Sequence, residues 1–181
     1  MRILCLLLFT AISLSAQAAS GGGVSSEWDI RTMLASLDAR ARQLAPVLDQ
    51  LKPAEWVRSG APQAYVGQWT TAKNELSYLL GATGTLAKDP EKLPAALDTL
   101  FRMQALDSTL GSVIEGTRKY QNPAIADLVQ AIANENDQNR DRLKQYVLDL
   151  ASEKEHELQV MDAEAQRCRA SISNQKPAGK R

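Results

Sequence analysis

Apolar residues in this chain recur at intervals of three and four through most of its length, the spacing of a helix face, and no stretch shows the two-residue alternation of a strand. The first run, Ile30, Leu34, Leu37, Ala41, Leu44, Leu48 and Leu51, keeps an uninterrupted 4-3-4-3 spacing behind a cap at Ser26 with Asp29 three residues on. Lys52-Pro53 is expected to end that helix, and Pro53 to Val57 adds one short turn before Ser59-Gly60-Ala61-Pro62.

A second helix is expected from about Pro62 to Ala87, along Tyr65 or Val66, Trp69, Ala72, Leu76, Leu79 or Leu80, Thr83 and Leu86. Gly81 and Gly84 weaken its last turns by about 1 kcal/mol each relative to alanine, so fraying is expected there. Asp89-Pro90 reads as a cap followed by proline at the first position of a third helix, which runs to about Lys119 on Leu93, Leu97, Leu100, Met103, Leu110, Val113 or Ile114 and Thr117. Asn122-Pro123 repeats that start, and no breaker follows until Lys176-Pro177.

The fourth helix is therefore expected to run from Pro123 to about Asn174, far longer than the other three. Its first half, with Ile125, Leu128, Val129, Ile132, Leu143, Val147 and Leu150, supplies a fourth wall; its second half keeps a weaker seam, interrupted by Lys154. The predicted fold is all-α: an antiparallel up-down-up-down four-helix bundle, with a long C-terminal helix projecting beyond the bundle as a coiled-coil-like segment. The bundle occupies 27–150, the projecting continuation of helix four 151–174, and a disordered basic tail 175–181.

The N-terminus changes where such a protein is expected to act. Arg2, the apolar run Ile3 to Ile12 and the small-residue end Ala16-Gln17-Ala18-Ala19 make residues 1–19 a secretory signal peptide, followed by a flexible linker over 20–26. Cleavage is expected after Ala18 or Ala19, and the apolar run is too short to remain as a membrane anchor. Cys5 precedes the end of that run, in the wrong place for lipidation. The expected location is outside the cytoplasm, periplasmic or extracellular, of a bacterial type.

Composition narrows the classes further. Cleavage removes Arg2 and no acid from a chain with 21 Lys and Arg and 21 Asp and Glu, leaving a formal charge of −1 and no global pull toward nucleic acid. Cys5 leaves with the signal, so Cys168 is either free or paired with another chain.

Catalytic chemistry finds few residues to work with. His156 is the one histidine, and Glu153-Lys154-Glu155-His156 is a single Glu-x-x-His where a di-metal bundle uses two such motifs and two further glutamates. No Cys-x-x-Cys-His for haem, no glycine-rich phosphate loop and no second histidine for nucleophilic catalysis is present. A non-catalytic protein without cofactor or metal is expected.

Two sets of residues are candidates for binding. The leading one is the seam Leu158, Met161, Ala165, Cys168 and Ile172, a surface for another protein or for a second copy of this one. From Asp149 to Glu164 this segment carries six acids against Lys154 alone. The other set, Gln104, Asp107, Asn136 and Asn139, places polar side chains near the middle of apolar seams, either as a register-fixing polar layer or as a small-molecule pocket of a periplasmic sensor or carrier. Trp56, Tyr65 and Trp69 are expected as a packed cap at one end of the core, and Trp28 as a staple to the first helix.

Overall fold

The computed structural model describes residues 25–173. The expected signal peptide, the linker as far as residue 24 and the basic tail lie outside them. Every described element is a helix: α1 Glu27–Arg42, α2 Leu44–Leu48, α3 Pro53–Arg58, α4 Ala64–Lys88, α5 Leu93–Tyr120, α6 Pro123–Asn134 and α7 Asp137–Ser173. They assemble in a bundle-like way around one apolar core, and none of them is long and apolar enough to cross a membrane.

Two helix starts follow the sequence closely. The Ser26 hydroxyl oxygen accepts the Asp29 N–H at 3.3 Å, and the Asn122 side chain accepts the Ala124 N–H at 2.8 Å with Pro123 at the first helical position. α3 ends in a Schellman turn. Gly60 takes the positive φ of 96° that such a turn requires, its N–H reaching the Val57 carbonyl and that of Ala61 reaching Trp56, each at 3.0 Å.

Three expectations about continuity are corrected. The first helix is not unbroken to Leu51: Pro46 has no N–H to give the carbonyl of Arg42, and the chain tightens one turn earlier, where the Gln43 N–H bonds Arg40 O at 3.1 Å. The third helix starts at Leu93 with Pro94 in its first turn, not at Pro90. Pro90 is buried, and its carbonyl accepts the Tyr146 hydroxyl at 2.7 Å. The fourth helix is divided at Glu135-Asn136, where the Asn136 N–H turns to Ala133 O at 3.0 Å and Arg140 N–H to Asn136 O at 2.9 Å begins α7. No proline causes this break. The run Asn134-Glu-Asn-Asp carries short polar side chains that compete for backbone hydrogen bonds. α4, by contrast, stays helical through Gly81 and Gly84 to Lys88.

α4 packs most extensively against α5, which also meets α6 and α7, while α1 packs on α4 and α7. Leu34, Leu37, Leu48, Leu79, Val113, Val129 and Leu143 are sealed from solvent in the shared core. At one end the Arg31 guanidinium donates to the last-turn carbonyl of Ala87 at 3.0 Å. At the other, α3 closes over α4 and α5 and buries Trp56. Trp28 is no staple: it stands 73% exposed. Leu128, expected on the core face, is also exposed, and Ala126 takes its place.

The last buried residue of α7 is Leu150. From Ala151 to Ser173 the helix continues with none, a length of roughly 35 Å at 1.5 Å per residue.

Candidate functional site

α7 carries both candidate sets, because one face of it enters the core as far as Leu150 and the same face then leaves it. Val147, Ala151, Lys154 and Leu158 keep the 4-3-4 spacing, so the seam beyond the core continues a face that is buried within it. Along that seam Leu158 and Met161 are each 66% exposed and Ile172 70%, with Cys168 exposed and Ala165 half-buried. Cys168 is a free thiol. Lys154 leans toward Glu157 at 3.2 Å, which lifts its pKa. The acids Glu153, Glu155, Glu157, Asp162 and Glu164 are all exposed, with Arg167 and Arg169 following them.

The second set is divided among different surroundings. Asn136 and Asn139 are buried, and the Asn139 amide donates to the Asn136 side-chain oxygen at 3.0 Å and lies 3.5 Å from the Ser36 hydroxyl of α1. Asp107 belongs to the other side of α7, where Arg140 reaches it at 2.5 Å and reaches Asp137 at 2.7 Å. Gln104 is exposed rather than on a core seam, and joins neither group. Each amide or carboxylate that is buried thus already has a partner from the protein.

Electrostatics at Asp107 follow from its position. Burial pushes its carboxyl above the ordinary carboxylate value, and the Arg140 guanidinium pulls back only part of that rise. The same hydrogen bond raises Arg140. Beside this ion pair lies a cleft of ≈ 130 Å³, lined among others by Gly111, Gln130, Asn134 and Asp137. Among the described residues, no group of three or more His, Cys, Asp or Glu side chains is placed to hold a metal ion.

Two residues escaped the sequence reading. Arg140 lies within the polar run after Asn134, and its signal was an unpaired Asp107 at mid-helix. Gln121, the C-cap of α5, has a larger part: its side-chain oxygen accepts from the Lys52 N–H and the Trp56 indole, both at 2.9 Å, and its amide donates to Gln50 O at 3.1 Å. One glutamine thereby ties the α2–α3 link to the end of α5. Position 121 follows the charged end Arg118-Lys119 and precedes Asn122-Pro123, a pattern that marks a corner and says nothing of what the corner holds.

The aromatic cap has its own geometry. Trp56 meets Tyr65 edge-on at 6.1 Å between centroids, and Tyr65 meets Tyr120 at 5.8 Å. Gly116 of α5 lies directly beneath: a Cβ there would come within 2.8 Å of the Tyr65 ring and 3.0 Å of Trp56. The Trp69 indole donates to Leu48 O at 2.8 Å. No protein-family model, curated protein or solved structure matches this chain.

Proposed function

We propose that this is an exported, non-catalytic protein of a bacterial type that works by protein–protein contact through residues 151–173, which extend from an antiparallel up-down-up-down bundle. In this reading α1 with α2, α4, α5, and α6 with α7 are the four walls. The neighbour relations support it, since α1 meets α4, α4 meets α5, α5 meets α6 and α7, and α1 meets α7.

The single observation that carries the functional reading is the exposure of Leu158, Met161 and Ile172 on a helix that has left the core. Helices in water owe most of their stability to packing of an apolar face, and isolated ones are marginal. Here the segment also bears like-charge neighbours at Asp149/Glu153 and Glu153/Glu157, which weaken a lone helix further. A partner covering the seam supplies what the bundle does not.

The test is to purify the protein from its own host's envelope fraction beside the variant Leu158→Glu/Met161→Glu, recording oligomeric mass and bound partners. Loss of either in the variant supports the reading; if both are unchanged, it fails. N-terminal sequencing of the same material tests export, with Ala19 or Ser20 expected as the first residue.

A further inference from the structure

We propose that the occupant of this seam is a second copy of the same helix, packed antiparallel, with Ala165 of each copy beside Cys168 of the other. The proposal rests on the reading of 151–173 as a contact segment and specifies its partner. Leu158, Met161, Ala165, Cys168 and Ile172 follow one another at 3-4-3-4, the spacing at which two helices pack knobs into holes.

Charge decides the direction. Acids occupy the first part of the segment, from Glu153 to Glu164, and Arg167 and Arg169 the second. A parallel copy sets acid beside acid along the whole first part. An antiparallel copy sets the acidic part of each helix toward the basic part of the other, and like charges side by side are what specific pairs avoid.

Charge also selects the register. With Ala165 beside Cys168, Met161 falls opposite Ile172, and Asp162 comes beside Arg169 of the second copy. Two-fold symmetry repeats each contact. Sliding the helices by one heptad, so that Met161 meets Ala165, brings Asp162 beside Asp162 and Glu164 beside Glu164. The first register also puts the small side chains at the centre, where the helices cross closest, and the large ones on either side.

The overlap is short, about 20 Å of helix per copy. That is below the extent that usually holds stable pairs, so the dimer is expected to come apart on dilution.

Light scattering of the purified protein over a concentration series is the first measurement. A mass approaching twice that of one chain at high concentration, falling toward one on dilution, is expected. Asp162→Arg and Arg169→Asp should each raise the dissociation constant roughly fivefold, and the double exchange should restore it. In a parallel pair Asp162→Arg relieves a repulsion and strengthens the dimer instead.

Oxidation gives an independent readout. In the proposed register the two Cys168 residues are offset by about 4.5 Å along the helix as well as by the distance between axes, beyond disulfide reach. Wild type therefore stays uncrosslinked, while Ala165→Cys links to Cys168 of the other copy. Cross-linking of wild type as readily as this variant overturns the antiparallel register.

A monomer at every concentration overturns the second copy as occupant. The wider reading of a contact segment survives that result if Leu158→Glu/Met161→Glu still releases a different protein in the envelope preparation, and falls with it if nothing is released.

Discussion

The Arg40 guanidinium of α1 holds the Glu135 carboxylate at 2.7 Å, and each residue stands beside the point where its own long helix breaks. Gln43 interrupts one helix and Glu135-Asn136 the other, so two bends with unrelated causes lie at the same level of the fold. Both members of the ion pair are well exposed. Glu135→Gln is expected to cost no more than about 0.5 kcal/mol and to matter less at high salt. Asn139→Ala leaves the buried Asn136 oxygen without its donor and is expected to cost about 1–2 kcal/mol. Urea denaturation of the two variants ranks them; equal costs would mean that the ion pair, and not the amide layer, holds the bend.

Gly116 and Gly111 lie on the same helix and predict opposite outcomes for the same change. Gly111→Ala meets open space and gains about 0.5–1 kcal/mol of helix preference. Gly116→Ala makes the same gain but drives a methyl into Tyr65 and Trp56, a net loss of about 1–2 kcal/mol. Thermal unfolding separates them by sign. Adding Tyr65→Ala to Gly116→Ala should cost less than Tyr65→Ala costs alone in the parent, because the clash is gone.

Gln121→Ala should be among the more damaging changes to a partly exposed side chain. It removes the acceptor for the Lys52 N–H and for the indole of buried Trp56. A loss of about 1–3 kcal/mol is expected, with a red shift of tryptophan emission as water reaches the Trp56 N–H. Gln121→Glu keeps the acceptor and loses the donor to Gln50 O, so it should recover part of the loss.

The Asp107–Arg140 pair gives stability a pH dependence. Asp107 has its pKa raised by folding, so its contribution to stability is present below the ordinary value of 3.8 and is lost as pH rises through the folded-state value. Arg140 limits that loss by pairing with the ionised carboxylate. Arg140→Gln should therefore raise the Asp107 pKa further and widen the window upward. The variant should be about 1 kcal/mol less stable at neutral pH and closer to wild type where Asp107 is protonated. Carboxyl-carbon NMR titration reads the shift directly; an Asp107 pKa that falls in the variant contradicts this account.

The fold was most legible where a local signal acts alone. Ser26 and Asn122-Pro123 cap helices because a side-chain oxygen and an orphan N–H two or three residues on are all that a cap needs. Prolines were harder to read. Pro46 lies within a continuous apolar run, and periodicity hid a backbone defect that leaves Leu44, Val47 and Leu48 on the buried face regardless. Pro90 and Pro94 both follow a plausible cap, and the choice between them was made by tertiary contact: Pro90 is needed as the acceptor for Tyr146. Among the candidate binding residues, Asn136 and Asn139 do point inward, as their place on the seam implied, while Gln104 does not. A helix position within about one residue of the seam can turn either way, and the outcome depends on what stands across from it. Arg140 and Gln121 bond partners 33 and 71 residues away, relations that spacing along one helix does not contain.

α7 is one uninterrupted helix from Asp137 to Ser173, and it begins at the bend where Asn136, Asn139 and Arg140 are held by α1 and α5. A stiff rod fixed at one end magnifies angle into distance. A tilt of about 5° at the point where α7 leaves the core carries its last turn through roughly 3 Å, more than half the rise of a helical turn. The aim of the far tip is thus set by a few polar contacts deep in the core, and an amide lost there is felt as a displacement several turns away.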